Sequence, residues 1–334
     1  MKKIKVLDCT LRDGGYVNNW NFSKHQIETT INSLSNANVD FIEFGFITSV
    51  LGNVGGTQFP DIQTASSFIP TERKNTKYLV MADVAQYDID SLSPRTSNTI
   101  DGIRVVFYKR QVEQAMEFCH KIEKKGYDLF IQPMVTLDYT KDEYYKLIKR
   151  FYNKCKPAAV SIVDSFGCMT PNELLTYVDI LGNGLDDNVD IGFHGHENMQ
   201  LSQINAISLI ESDVKNEIIL DATVNGMGRG AGNLCTELIT NYLNIENNKY
   251  NINYIFHVAS EVTEPIREKN EWGYSTYFML TALKRAHPNF ATYLLEKHNV
   301  SVDDFMKFLD LIPEEMYTKC TRPYVEEIYA ELIK

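Results

Sequence analysis

The sequence predicts an α/β protein: a closed (β/α)₈ barrel of parallel strands with a small helical domain appended at its C-terminal end. Three observations predict it. Short apolar runs rich in β-branched residues return eight times before residue 223, helix-patterned segments fall between them, and from about residue 250 only helical patterns remain.

In order, the strand candidates run from Ile4 to Cys9, Phe41 to Phe46, Tyr78 to Ala82, Gly102 to Phe107, Leu129 to Val135, Ala159 to Asp164, Val189 to His194 and Glu217 to Ala222. Between them, Ser23 to Asn36 places Ile27, Ile31 and Leu34 on one helical face, and Gln111 to Lys125 does the same with Val112, Ala115, Met116 and Cys119. Pro171 opens another helix, continued by Glu173, Leu174, Leu175, Tyr177 and Val178. Strands alternating with helices pair in parallel through right-handed crossovers, and eight such repeats close a barrel. An open doubly wound sheet is the alternative architecture.

The pattern changes after Asn233. Leu234 to Tyr242 reads as the last barrel helix, which divides the chain into a barrel over residues 1–245 and a helical domain over 246–334. Pro265, Pro288 and Pro313 mark breaks between the later helices. Trp272, Tyr274, Tyr277 and Phe278 cluster near the start of this region, either packed against the barrel or acting directly at a site.

With 334 residues, 44% of them hydrophobic and 23% charged, the chain has the make-up of a folded protein with one large domain and an appendage. Its 33 basic against 44 acidic residues, a net charge of −11, argue against a broad surface for nucleic acid or anionic membrane, though not against a local basic pocket. The cysteines at 9, 119, 155, 168, 235 and 320 lack CxxC spacing, as expected of reduced thiols in the cytoplasm. The basic start from Met1 to Leu7 runs into Asp8 and Asp13 and does not read as a signal peptide. No stretch approaches the roughly 20 apolar residues of a membrane span.

A barrel carries its chemistry at the C-terminal ends of its strands. Polar residues there are Leu11-Arg12-Asp13-Gly14-Gly15-Tyr16 after the first strand, Asp164-Ser165 after the sixth, His194 and His196 at the seventh, and Gly226 to Asn233 after the eighth. Residues two apart on a strand share a face, so the histidines are either half of a metal site or a hydrogen-bonded structural pair. Strands one, seven and eight are neighbours in a closed barrel. Asp13, His194 and His196 can therefore meet as a two-histidine, one-carboxylate set with positions left open on an octahedral ion, and Asn233 can add an amide oxygen. A substrate chelating through two oxygens favours Mn²⁺ or Mg²⁺, although Zn²⁺ or Co²⁺ would accept the same ligands. Arg12 is placed either to stabilise an oxyanion or to form a salt bridge, with Glu43 a candidate partner.

The glycine-rich run loosely matches a dinucleotide fingerprint, but it follows the last strand of the series, and no acidic residue ends a following strand. It reads better as a tight loop, either holding an anion on its backbone N–H groups with Arg229 nearby or packed close under the C-terminal domain.

Together, Leu11-Arg12-Asp13-Gly14, His194-x-His196-x-Asn198 and Gly226-x-Gly228-x-Gly230-x-Gly232-Asn233 resemble the metal-dependent superfamily of hydroxymethylglutaryl-CoA lyase, isopropylmalate and homocitrate synthases and 4-hydroxy-2-oxovalerate aldolase, over roughly residues 4 to 240. The resemblance implies that Asp13, His194 and His196 are metal ligands, Asn233 a further one, and Arg12 the residue that stabilises an enolate. The implied chemistry makes or breaks a carbon–carbon bond beside a carbonyl, with the metal holding a 2-oxo acid through its carboxylate and keto oxygens.

The synthases and the CoA lyase usually carry Gln where this chain has Tyr16, and the lyase has a cysteine in its glycine-rich loop that is absent here. Val163-Asp164-Ser165-Phe166-Gly167 and Gly273-Tyr274-Ser275-Thr276-Tyr277 look most like the aldolase branch. The implied reaction is a class II aldol addition or cleavage between pyruvate, or a related 2-oxo acid, and an aldehyde, with Asp164, Arg229 and Tyr274 as substrate-binding residues. A Claisen condensation of an acyl-CoA, and a barrel without catalysis, are the alternatives. That aldolase has a histidine, thought to be its base, where this chain has Tyr16. A phenol with a pKa near 10 is a poor base, so Tyr16 either takes part in catalysis with a lowered pKa or only shapes the pocket, leaving the proton to a metal-bound hydroxide. Family habit implies a homo-oligomer; no dehydrogenase partner is assignable.

Overall fold

Eight strands run parallel: β1 (Ile4–Asp8), β2 (Phe41–Ile47), β3 (Lys77–Asp83), β4 (Gly102–Phe107), β5 (Asp128–Pro133), β6 (Ala159–Asp164), β7 (Asp190–Gly195) and β8 (Ile218–Ala222). The computed structural model describes residues 3–50 and 56–333, so Met1 and Lys2, the head of the basic start, lie outside the described residues. Each strand pairs with the next. The register of β1 on both β8 (Ile4↔Ile218 to Asp8↔Ala222) and β2 (Leu7↔Phe41, Asp8↔Ile42) closes the ring as a TIM barrel rather than an open sheet.

The sequence reading placed all eight strands, and most ends agree within two residues. An unforeseen two-residue strand, Gln58–Phe59, pairs with the end of β2 beyond the point where β1 has left it. Gly45 sits at a break in the β2 register with φ +151°, and a Cβ there would lie 2.1 Å from Thr57 O. Glycine alone admits that approach.

The helices Lys24–Asn36, Val112–Lys124 and Pro171–Gly184 match the sequence pattern, and Ser23 and Thr170 cap the first and last of these through reciprocal bonds with Gln26 and Glu173. Two crossovers fall short of the ideal. Only Ile62–Ser66 lies between Gln58–Phe59 and β3, and only the turn Ile89–Ser91 between β3 and β4.

Period-two alternation stacks side chains inside the barrel in layers. Phe41, Phe130 and Ile219 belong to an apolar layer with Leu7, Leu79 and Ala159. Two residues further along the same strands stand Glu43, Gln132 and Asp221, all buried. This polar layer lies directly beneath the strand ends that carry the site.

Among the described residues no strand follows Ala222. The barrel's core continues through Tyr250, Ile255, Val258, Val262, Ile266 and Trp272, while a separate core gathers Ala286, Phe290, Leu294, Phe305, Phe308 and Val325. One expectation is corrected. Pro265 does not break a helix: Ile252–Val258 and Glu264–Arg267 run on through a π turn, Ala259–Thr263, whose wider winding accommodates the proline ring and its missing N–H. Pro288 and Pro313 do stand at helix boundaries. No described helix is long and apolar enough to cross a membrane.

Candidate metal centre and active-site cleft

After β1 the chain turns at once into a buried helical turn, Thr10–Asp13. Asp8 fixes that turn by accepting from Thr10 N at 2.9 Å and Thr236 Oγ1 at 2.6 Å, and Thr10 Oγ1 accepts from Val224 N at 2.8 Å. Asp13 is thereby held opposite the end of β7. Donor atoms of Asp13, His194 and His196 lie within 4.8 Å of one another, and all three side chains are buried. Burial opposes ionisation of Asp13, but the neighbouring Arg12, His196 and His194 and a bond from Asn233 hold its carboxyl well below the usual range. Burial pushes His196 down to about 3, so it stands neutral, as a ligand must.

The residues present fit a divalent cation. His194 Nδ1, His196 Nδ1 and Asn233 Oδ1 are buried without hydrogen-bond partners. Asp13 uses Oδ1 for Arg12 and Oδ2 for Asn233 Nδ2, and each oxygen keeps a further lone pair. Asn233 thus gives its amide nitrogen to Asp13 and leaves its oxygen without a partner.

Beneath the triad, the polar layer forms one network. Arg12 Nε donates to Glu43 at 2.7 Å, and Arg104 donates to Glu43 at 3.0 Å, to Gln132 at 2.6 Å and to Asp221. Asp221 Oδ2 stands 3.1 Å from His194 Nδ1. This places a carboxylate beside the His194 ring at contact distance, where its negative charge favours a cation bound by that histidine. The network sets two guanidiniums against Glu43, Asp13 and Asp221, leaving one negative charge to attract a cation.

The salt-bridge reading of Arg12 is the one the contacts show. Arg12 is in salt bridges with Glu43 and Asp13, yet its Nη2 is buried without a partner, and the residue lines a cleft of about 640 Å³.

That cleft also receives Tyr16, Arg229, His194 and His196. Tyr16 packs edge-on against Trp20 at 4.7 Å, with the Arg229 guanidinium 5.3 Å above its ring. Desolvation raises the phenol above its ordinary value despite the pull of Arg229, a direction away from a base. Arg229 also donates to Ser165 O at 3.2 Å.

Asp164 is turned away from the cleft. Its carboxylate accepts from the N–H groups of Cys168 and Met169, each at 3.0 Å, and burial raises it to about 6. Tyr274 is 60% exposed, with its hydroxyl on Met279 Sδ, and is not among the residues lining the cleft. Of its aromatic neighbours, Trp272 is the one bonded to a barrel loop, through Asn225 O at 2.9 Å, whereas Tyr277 joins the second core.

The glycine-rich loop uses five of its backbone N–H groups within the protein. The N–H groups of Gly226, Met227, Ala231, Gly232 and Asn233 donate to Thr223, Val224, Asn198, Arg229 and Gly226. A Cβ on Gly228 would fall 2.2 Å from Asn233 Nδ2 and 2.8 Å from Asp13 Oδ2, so this glycine lets the loop press onto the triad. Asn198 ties the loops together, donating to Phe166 O and accepting from Ala231 N.

Sequence reasoning missed Arg104, Gln132, Asp221 and His287. The first three were signalled by polar residues inside otherwise apolar strands, such as Asp221 in Ile-Ile-Leu-Asp-Ala. His287, which reaches the cleft from the helical region, had no local signal.

Residues 3–266 match the family described as HMGL-like. The chain belongs to the HMGL-like family. It is 26% identical over 250 residues to 4-hydroxy-2-oxovalerate aldolase of Marinomonas sp. (strain MWYL1), covering 73% of this chain and 71% of that one. It is also 26% identical over 239 residues to oxaloacetate decarboxylase of Mycobacterium tuberculosis (strain ATCC 25618 / H37Rv), covering 70% and 68% respectively. Among solved structures, the N-terminal domain of a Bacteroides vulgatus protein described as a candidate aldolase superposes with a TM-score of 0.73 at 27% identity, over 89% of this chain and 98% of that domain. As an HMGL-like protein with these relatives, the chain is a carbon–carbon lyase.

Proposed function

We propose that this HMGL-like lyase is a divalent-metal-dependent aldolase that makes or cleaves the bond between pyruvate, or a related 2-oxo acid, and an aldehyde by way of an enolate. The observation that carries the reading is the buried Asp13–His194–His196 triad at the cleft, beside a guanidinium nitrogen of Arg12 that has no partner.

A divalent ion held by Asp13, His194 and His196, with Asn233 beside them, would supply Lewis-acid polarisation of the keto and carboxylate oxygens of the 2-oxo acid. Mn²⁺ or Mg²⁺ suits such a chelating substrate best. Arg12, clamped by Glu43 and Asp13, offers Nη2 to the oxygen that gains charge as the enolate forms. Asp221 sets its carboxylate 3.1 Å from the His194 ring and supports it electrostatically. Arg229 attracts the substrate's carboxylate towards the cleft, and Tyr16 forms its wall beneath that guanidinium. Asp164 contributes by shaping the loop that carries Ser165.

A second reading is favoured by the mycobacterial relative: decarboxylation of oxaloacetate passes through the same enolate, with CO₂ departing in place of an aldehyde.

The test is ¹H NMR of pyruvate in D₂O with the Mg²⁺-loaded enzyme, then with EDTA. Metal-dependent loss of the methyl signal without aldehyde supports the enolate chemistry. Its absence from folded, metal-loaded protein would sink the proposal. Cleavage of short 4-hydroxy-2-oxo acids in preference to oxaloacetate separates aldolase from decarboxylase, and thiol release from acetyl-CoA would indicate a Claisen enzyme instead.

A further inference from the structure

The helical region sends three residues into the cleft, His287, Asn289 and Cys320. His287 is the one held for chemistry. It sits on a turn in which Arg285 adopts φ +52°, and Arg285 anchors that turn to the barrel through Glu173 at 2.6 Å. The His287 N–H donates to Tyr317 O at 2.9 Å, and its ring lies 5.7 Å from that of Phe166, on the loop after β6. The imidazole is 8% exposed.

Its tautomer is dictated locally. The backbone N–H of Asn289 donates to His287 Nδ1 at 3.1 Å, so Nδ1 is an acceptor and a neutral ring carries its proton on Nε2. No described residue accepts a hydrogen bond from Nε2. Burial and the nearby Arg229 push the group down to about 3, so the ring is neutral throughout the physiological range. An oriented donor on a mostly buried ring, without a protein acceptor and in the wall of a substrate cleft, points to a substrate oxygen. The enolate oxygen is served from the barrel side by Arg12 and the triad. His287 lines the same cleft from the helical region.

We infer that His287 donates a hydrogen bond from Nε2 to the carbonyl oxygen of the acceptor aldehyde as the enolate carbon attacks it. The inference rests on the aldolase reading. The new carbon–carbon bond takes the enolate's electron pair, and the aldehyde's π pair moves onto its oxygen. That alkoxide is stabilised by the Nε2–H and then protonated by water, leaving the imidazole unchanged. A neutral imidazole can polarise a carbonyl in this way. In cleavage, the same bond holds the 4-oxygen as its proton passes to hydroxide from solvent, its electron pair forms the aldehyde carbonyl, and the carbon–carbon pair returns to the enolate.

The test uses the Mg²⁺-loaded full chain as wild type, His287→Phe and His287→Gln, with two readouts: pyruvate methyl exchange in D₂O without aldehyde, and cleavage of a panel of short 4-hydroxy-2-oxo acids. His287→Phe should keep exchange within about twofold while cleavage falls about 10²–10³-fold, the loss typical of one oxyanion donor. His287→Gln, whose amide N–H reaches the place of Nε2, should recover at least about tenfold of that loss. Should the Phe variant fail to fold, His287→Asn, which fills the Nδ1 position but is too short to reach that of Nε2, carries the same expectation. Wild-type cleavage in His287→Phe, or a parallel fall in exchange, overturns the inference alone. A wild type that neither exchanges nor cleaves overturns the aldolase reading and the inference with it. One that exchanges but processes no member of the panel in either direction also overturns the acceptor-side role.

Discussion

Arg12 and Arg104 share one carboxylate oxygen: Glu43 Oε2 accepts from Arg12 Nε at 2.7 Å and from Arg104 Nη1 at 3.0 Å. Through Arg104 the same network reaches Asp221 and so His194. The residue beside the enolate position and one proposed metal ligand are thus oriented by a single buried lattice. Such a lattice is sensitive to the loss of any one member, because a buried charge left unpaired costs far more than the pair contributes.

Asp13→Asn should abolish binding of Mg²⁺ or Mn²⁺ with the barrel still folded, since the acidic member of the triad is gone. Asp221→Asn should only weaken it, by about 10–100-fold, because it acts through His194. Calorimetric titration with circular dichroism as the fold control checks both. Equal affinity in Asp221→Asn and wild type would remove Asp221 from the metal site's support.

Arg12→Ala is expected to retain metal and lower pyruvate exchange by about 10²–10³-fold. Glu43 keeps Arg104 as a partner, so the barrel survives. Arg12→Lys should not rescue, because one ammonium cannot pair with Glu43 and Asp13 and still present a donor to the cleft. An exchange rate near wild type in Arg12→Ala would reduce Arg12 to a structural ion pair.

Tyr16→Phe preserves both the edge contact with Trp20 and the ring beneath Arg229. Turnover should change by no more than about threefold, with an unaltered pH profile, because a phenol raised above its ordinary pKa is not the base. A fall of about a hundredfold would return the hydroxyl to the mechanism.

His287 has its pKa pushed from 6.5 down to about 3 by burial and Arg229. As pH falls through 6.5 the unfolded chain gains a proton that the folded chain refuses, so stability declines between about pH 6.5 and pH 3. His287→Gln removes that contribution. Its stability deficit, measured by urea melts, should therefore shrink as pH is lowered from 7 to 5. A deficit constant across that range would show that His287 protonates equally in both states.

The alternation of β-branched runs with helical periods determined the barrel, because strand and helix periods are local properties of the chain and eight parallel strands close in few ways. It also determined which residues stand at the strand ends, and so exposed Asp13, His194 and His196 as a set. What lay beyond it arises from contacts distant in sequence. The polar layer joins Glu43, Arg104, Gln132 and Asp221 across four strands, and each alone looks like an isolated polar residue in an apolar run. The need for glycine at 228 comes from a side chain five residues later and a carboxylate from the first strand's turn. Asp164 looked like a substrate residue until its carboxylate proved to be occupied by its own loop. His287 enters the cleft through contacts distant in sequence: Arg285 ties its turn to Glu173 on a barrel helix, and its own N–H is bonded to Tyr317 O. Local periodicity fixes elements and faces; which buried charges meet, and which donor is left unpaired, is decided by the packing that brings those faces together.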